Sequence, residues 1–267
     1  MKGFHLWTHV DNIVFEFDDR LQPSVKLPEF VSFVHHTLMQ CTCPNLKKFS
    51  LCIFGVKLDP ELLDEWLQCV FKKKLEFLEL DLIVDDYCYP EWFYHIPSLV
   101  KMEISVNNSW WYDGHTVSWT SLKSLQLSFV QISEEQITIL LSGCPVLETL
   151  VLIETLIISS LNIKSPSLKT LKIVNMEENG NFNWFDIDAP YLKELEITKT
   201  NETWLSVPRF RFRNVSSLVY VNFDYTPKSF EFDINIAWPG VAAKLLKSVK
   251  HVNELILGPV FIQVRPS

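Results

Sequence analysis

The sequence predicts an α/β solenoid, with a parallel inner sheet, helical returns in the N-terminal half and mostly strand returns in the C-terminal half. Three observations predict it. The stretch Cys144-Pro145-Val146-Leu147-Glu148-Thr149-Leu150-Val151-Leu152 has the pattern P-x-L-x-x-L-x-L, which recurs at Pro44 to Leu51, Pro97 to Ile104, Pro166 to Ile173 and Pro190 to Ile197. The first leucines of successive phrases, Leu75, Leu99, Leu122, Leu147, Leu168, Leu192 and Leu218, are separated by 24, 23, 25, 21, 24 and 26 residues. Between the phrases, apolar residues keep helical spacing before Leu152 and alternate after it.

In L-x-x-L-x-L the last two apolar positions alternate, so a short strand turns them to one side and their neighbours to the other. One such strand cannot bury its own face; stacked on its neighbours it builds a parallel sheet in which each repeat touches only the next. The interval falls in the roughly 20–29-residue range of leucine-rich repeats, which makes the fold class a leucine-rich-repeat solenoid. A buried leucine contributes roughly 1.5–3 kcal/mol, so Leu150 and Leu152 should reject polar substitution.

The first return, Pro28 to Cys41, places Phe30, Val34, Leu38 and Cys41 on one helical face. The second opens with Asp59 as N-cap and Pro60 at the first helical position, and continues through Leu62, Leu63, Trp66, Leu67 and Val70. Lys72, Lys73 and Lys74 follow where that helix ends and suit its dipole. Ser133-Glu134-Glu135-Gln136 reads as a capping box before Ile137, Leu140, Leu141 and Cys144. Later returns alternate at Leu161 and Ile163, Phe185 and Ile187, Phe210 and Phe212, and from Phe230 through Phe232 and Ile234 to Ile236, which predicts strands. A last helix from Pro239 carries Val241, Leu245 and Val249 and precedes the phrase Val252 to Leu257. The segment from Asn107 to Trp119 has no legible periodicity.

At 267 residues and 48% hydrophobic, the chain can bury a large core. A net charge of -8 argues against nucleic acid and anionic membranes as partners, because both attract a positive field. Six cysteines without paired spacing suit reduced, buried thiols. No apolar signal core or membrane-length run occurs, which predicts a cytoplasmic or nuclear protein.

The phrases Leu141-Ser142-Gly143-Cys144-Pro145-Val146-Leu147-Glu148-Thr149-Leu150 and Ile187-Asp188-Ala189-Pro190-Tyr191-Leu192-Lys193 resemble the leucine-rich-repeat region of the plant F-box proteins, a group often ending in an FBD domain. The lead-in from Leu6-Trp7 to Phe15 is similar to the junction where the F-box of that family enters its first strand. In the family, the F-box docks on the Skp-type adaptor of a cullin ubiquitin ligase and the repeats recruit the substrate. The resemblance implies an F-box-tail remnant over 1–9, the solenoid over 10–258, and a C-terminal end at 259–267 without the FBD domain. It implies a non-catalytic protein-interaction module resembling the substrate-recognition region of an SCF-type ligase. A Skp-type adaptor is a partner only if an F-box lies upstream. The alternative is a free-standing repeat scaffold or decoy with no ligase link.

A protein substrate is expected on the concave face of the inner sheet. Its candidate contacts are Glu79, Glu103, Gln126, Val151, Lys172, Glu196 and Asn222, just before each last leucine, with Ile153 and Val174 two places further on. Val151, Ile153 and Val174 form an apolar patch, read either as a contact surface or as a floor covered by a neighbouring loop. Arg209, Arg211 and Arg213 alternate with Phe210 and Phe212, a candidate anion-binding face; the alternative is a solvated basic face over a buried aromatic one. His35, His36, Cys41 and Cys43 lack zinc-site spacing, and Asp18-Asp19 and Asp85-Asp86 read as solvated loop acids. With no G-x-S-x-G, phosphate-cradling glycine loop or H-E-x-x-H, no catalytic, cofactor or metal site is predicted.

Overall fold

The phrases become strands because their alternating leucines can be buried only by stacking, and the returns take whichever form buries their own apolar residues. A computed structural model describes residues 10–20, 26–84, 87–108, 115–158, 160–178, 184–200, 209–225 and 238–262. The first half contains β1 (Asn12–Asp18), α1 (Leu27–Gln40), β2 (Lys48–Lys57), α2 (Pro60–Phe71), β3 (Phe77–Ile83), β4 (Lys101–Asn108), β5 (Ser124–Ile132), α3 (Glu134–Gly143) and β6 (Thr149–Ile153). Asp59 caps α2 by accepting from the Glu61 amide at 2.9 Å. Ser133 and Gln136 close the predicted capping box of α3. Lys73 does not serve α2: its Nζ donates to the Cys41 carbonyl at 2.5 Å and ties two repeats together. Among its described residues the return between β3 and β4 holds a 3-10 turn at Glu91–Tyr94, on which Trp119 is anchored by donating Nε1–H to the Phe93 carbonyl at 2.9 Å.

The second half contains β7 (Leu156–Ile157), β8 (Leu161–Lys164), β9 (Thr170–Val174), β10 (Glu177–Glu178), β11 (Trp184–Asp188), β12 (Glu194–Lys199), β13 (Arg209–Arg213), β14 (Tyr220–Tyr225), α4 (Trp238–Ser248), β15 (Glu254–Leu257) and α5 (Pro259–Ile262). The predicted strand returns β8, β11 and β13 form a three-stranded parallel sheet. Leu161, Ile163, Phe185 and Ile187 from it are buried, and Phe210 and Phe212 pack half-buried on the same core. The alternation from Phe230 to Ile236 lies outside the described residues. In the long sheet the strands run β1-β2-β3-β4-β5-β6-β9-β12-β14-β15, all parallel, with β7 and β10 branching from the end of β5.

Register converts the repeat into a core. Phe15, Leu51, Leu80, Ile104, Leu127, Leu152, Ile173, Ile197, Phe223 and Leu257 are successive partners across the sheet, and all but Leu257 are buried. In two repeats a serine preceding the first leucine ties the repeat to the one before: Ser98 donates to the Leu75 carbonyl at 2.7 Å and Ser167 to that of Leu147 at 2.9 Å. All six cysteines are free, and burial pushes the Cys144 thiol up to about 12. No described helix is long and apolar enough to cross a membrane.

Two expectations are corrected. Asp18 is not a solvated acid: it is buried at the end of β1, where Arg20 reaches it with Nε at 3.0 Å and Nη2 at 2.9 Å. Burial requires a partner for that charge, and the arginine two residues on supplies it. Leu255 repeats the position of buried Leu150 but is 38% exposed. Among the described residues β14 is the one strand that pairs with β15, so its far edge has no strand beside it.

Candidate functional site

Side chains that alternate with the core leucines line up in rows, because parallel strands in register place equivalent residues about 4.8 Å apart. One row reads Val14, Ser50, Glu79, Glu103, Gln126, Val151, Lys172, Glu196, Asn222 and Ile256, each the register partner of the next. The next row reads Glu16, Cys52, Asp81, Ser105, Ser128, Ile153, Val174, Thr198 and Asp224. The nine predicted contacts on this face therefore fall in two adjacent rows, with Val151, Ile153 and Val174 side by side on β6 and β9. All nine are half-buried.

The expectation that polar residues of these rows are solvated fails at Ser50 and Ser128, which are buried. A hydroxymethyl group lies low on the pleat and is shaded by longer neighbours. Ser50 compensates by donating to Glu79 Oε2 at 2.9 Å.

A third row, which the repeat pattern did not single out, carries Lys48, Phe77 and Lys101 as consecutive partners. Both ammonium groups lie over the Phe77 ring, at 4.6 and 4.4 Å from its centroid. These residues stand two places before the predicted contacts, so extending the period-two count backwards would have found them.

Each of these cations is already engaged. Lys48 pairs with Glu79 at 2.7 Å, Lys101 with Glu103 at 2.7 Å and Lys172 with Glu196 at 3.0 Å. Burial alone would raise the Glu79 pKa; hydrogen bonds from Lys48 and Ser50 and the charges of Lys48 and Lys101 outweigh it, so the carboxyl lies below its ordinary value. The bond to Glu196 raises Lys172. Glu16 and Asp81 have no ion pair among the described residues and flank Cys52 in register. Burial pushes the Cys52 thiol up, a bond from Ser50 lowers it, and the charges of Glu79, Asp81 and Glu16 raise it further.

At the rim of the apolar patch, three successive repeats carry a left-handed residue: Phe129 (φ 58°) within β5, Glu154 (φ 47°) just after β6 and Asn175 (φ 51°) just after β9. They directly follow Ser128, Ile153 and Val174. Asparagine adopts this conformation readily and phenylalanine rarely does. Phe129 is also 44% exposed, a feature that no periodicity signals.

Arg209, Arg211 and Arg213 lie on the other sheet, away from this face, and two of them share one carboxylate. Arg211 and Arg213 reach Asp186 Oδ2 at 3.3 and 2.7 Å, and the guanidinium groups of Arg209 and Arg211 lie 5.2 and 4.8 Å from the Trp184 ring centroid. The alternation of exposed arginines with half-buried phenylalanines is as expected. The His35, His36, Cys41 and Cys43 cluster disperses: His36 contacts Gln40 at 2.8 Å, and Cys43 donates to the Asn45 carbonyl at 2.9 Å. Among the described residues no group of three His, Cys, Asp or Glu converges as a metal site.

Comparison with known proteins places this geometry. A family model described as FBD-associated F-box protein At5g56370, LRR repeats, matches residues 63–256. The F-box/LRR-repeat protein At3g03360 of Arabidopsis thaliana is 28% identical over 285 residues, covering 97% of this chain and 53% of the relative. The putative F-box/LRR-repeat protein At5g02930 of the same plant is 27% identical over 272 residues, covering 97% and 54%. The probable F-box protein At1g60180, also of Arabidopsis thaliana, is 32% identical over 150 residues, covering 56% and 44%. The chain spans about half the length of the first two relatives. No solved structure matches it. The parallel repeat ladder and the family match over most of its length agree, and the chain belongs to the family of leucine-rich-repeat regions of FBD-associated F-box proteins.

Proposed function

We propose that the chain is the substrate-recognition region of an F-box subunit of a cullin ubiquitin ligase, and that its protein substrate sits on the outward rows of the long sheet. The reading assigns the chain no catalysis of its own, and its link to the ligase runs through a Skp-type adaptor held by an F-box preceding the repeats. The observation that carries it is the register. It aligns the predicted contacts into continuous rows on a face whose backbone groups are already paired, leaving side chains free to define a partner. A repeat array of this kind supplies an extended binding surface.

The test is to tag the native locus at the C-terminal end and purify the product from plant tissue. A Skp-type adaptor and a cullin are expected with it. Protein partners recovered without the adaptor would assign the chain instead to the free-standing scaffold reading.

A further inference from the structure

We infer that the outward face takes a cationic segment of its protein partner, seated by one aliphatic side chain over Val151, Ile153 and Val174. This inference rests on the substrate-recognition reading and specifies the chemistry of the partner.

The second row carries the argument. It runs from Asp81 through Ser105 and Ser128 to Ile153 and Val174, then through Thr198 to Asp224. Small hydroxyl residues separate an apolar centre from a carboxylate on each side, and no lysine or arginine occupies the row. The lysines of the neighbouring rows are each held by a glutamate, and among the described residues Asp81 and Glu16 have no ion pair.

Spacing sets the partner's pattern. At about 4.8 Å per strand, Asp81 lies three strands, roughly 14 Å, from Ile153. An extended segment advances about 3.3 Å per residue, so it would present a basic residue about four places before or after its aliphatic one, according to its direction. Long basic side chains absorb a residue of slack on either side. A polyanion is repelled by the same row.

The test uses the purified chain and three fluorescein-labelled peptides: a leucine with arginines at those positions, the same peptide with glutamates for arginines, and the arginine peptide with serine for leucine. Anisotropy titrations at about 50 mM and about 500 mM salt separate charge from contact. The arginine-leucine peptide is expected to bind at least about tenfold more tightly than either control, and to lose most of that advantage at high salt. Asp81→Asn with Glu16→Gln should weaken it about fivefold, and Ile153→Ser should weaken it at both salt concentrations. Urea unfolding of each variant checks the fold, and Asp81→Asn alone serves if the double variant does not fold.

Equal binding of the three peptides would overturn the inference. So would a dimer, seen by sedimentation, that Ile153→Ser dissolves, because the face would then belong to a second copy. Photo-crosslinking from position 151 of the tagged protein in plant tissue separates this failure from that of the function. A crosslinked partner segment without basic residues sinks the inference and leaves substrate recognition standing, whereas no crosslinked protein at all sinks both.

Discussion

Ser50 donates its hydroxyl to Glu79 Oε2 at 2.9 Å across the β2–β3 ladder, and Lys48 reaches the same oxygen at 2.7 Å. Two donors from one strand thus converge on one carboxylate of the next. The polar rows therefore link repeats as well as face solvent.

The first prediction concerns acid. The Glu79 pKa in the folded protein lies below its ordinary 4.5. Its contribution to stability is complete above the ordinary value and is lost as pH falls through the depressed one. The wild-type urea midpoint should fall more steeply between about pH 5 and about pH 3 than that of Glu79→Gln. Parallel curves would mean that the carboxylate is held no better folded than unfolded.

Position in the array should govern the cost of losing a leucine. Leu152 is 0% exposed with a partner strand on each side, and Leu152→Ala should cost about 3 kcal/mol. Leu255 is 38% exposed, and Leu255→Ala should cost under about 1 kcal/mol. Urea titration measures both, and similar values would contradict the view that stacking from both sides makes the core.

Gly143 closes α3 against the preceding return. A Cβ there would meet the Val117 carbonyl oxygen at 2.3 Å and Val117 Cβ at 2.6 Å. Because backbone must move, Gly143→Ala should destabilise by about 2 kcal/mol despite the better helix propensity of alanine. An unchanged thermal midpoint would show that the two elements slide apart freely.

Val151 tests the outward face. Val151→Asp places a carboxylate where an aliphatic contact is proposed, and should reduce partner recovery while urea stability changes by less than about 1 kcal/mol. Equal recovery by wild type and variant would remove the Val151, Ile153 and Val174 patch from the binding surface.

Much of the candidate site was legible because a period of two dictates which side chains share a face. Glu79, Glu103, Gln126, Val151, Lys172, Glu196 and Asn222 form one row for that reason. Lys48, Phe77 and Lys101 escaped because the outward positions were counted only from the residue before each last leucine onward. Phe129 escaped because its prominence comes from a left-handed backbone, a property of the turn and not of the residue type. The arginine triplet was placed on the correct face of β13, but its pairing with Asp186 depends on which strand lies beside it.

Apolar spacing by itself determined the solenoid, the capped helices and the change from helical to strand returns, since each depends on residues close together in the chain. Tertiary structure alone decided the burial of Ser50, Ser128 and Asp18, the exposure of Leu255 and the capture of Lys48 by Glu79 and of Lys172 by Glu196. Those outcomes depend on which strands lie alongside, and burial and charge pairing are properties of neighbours.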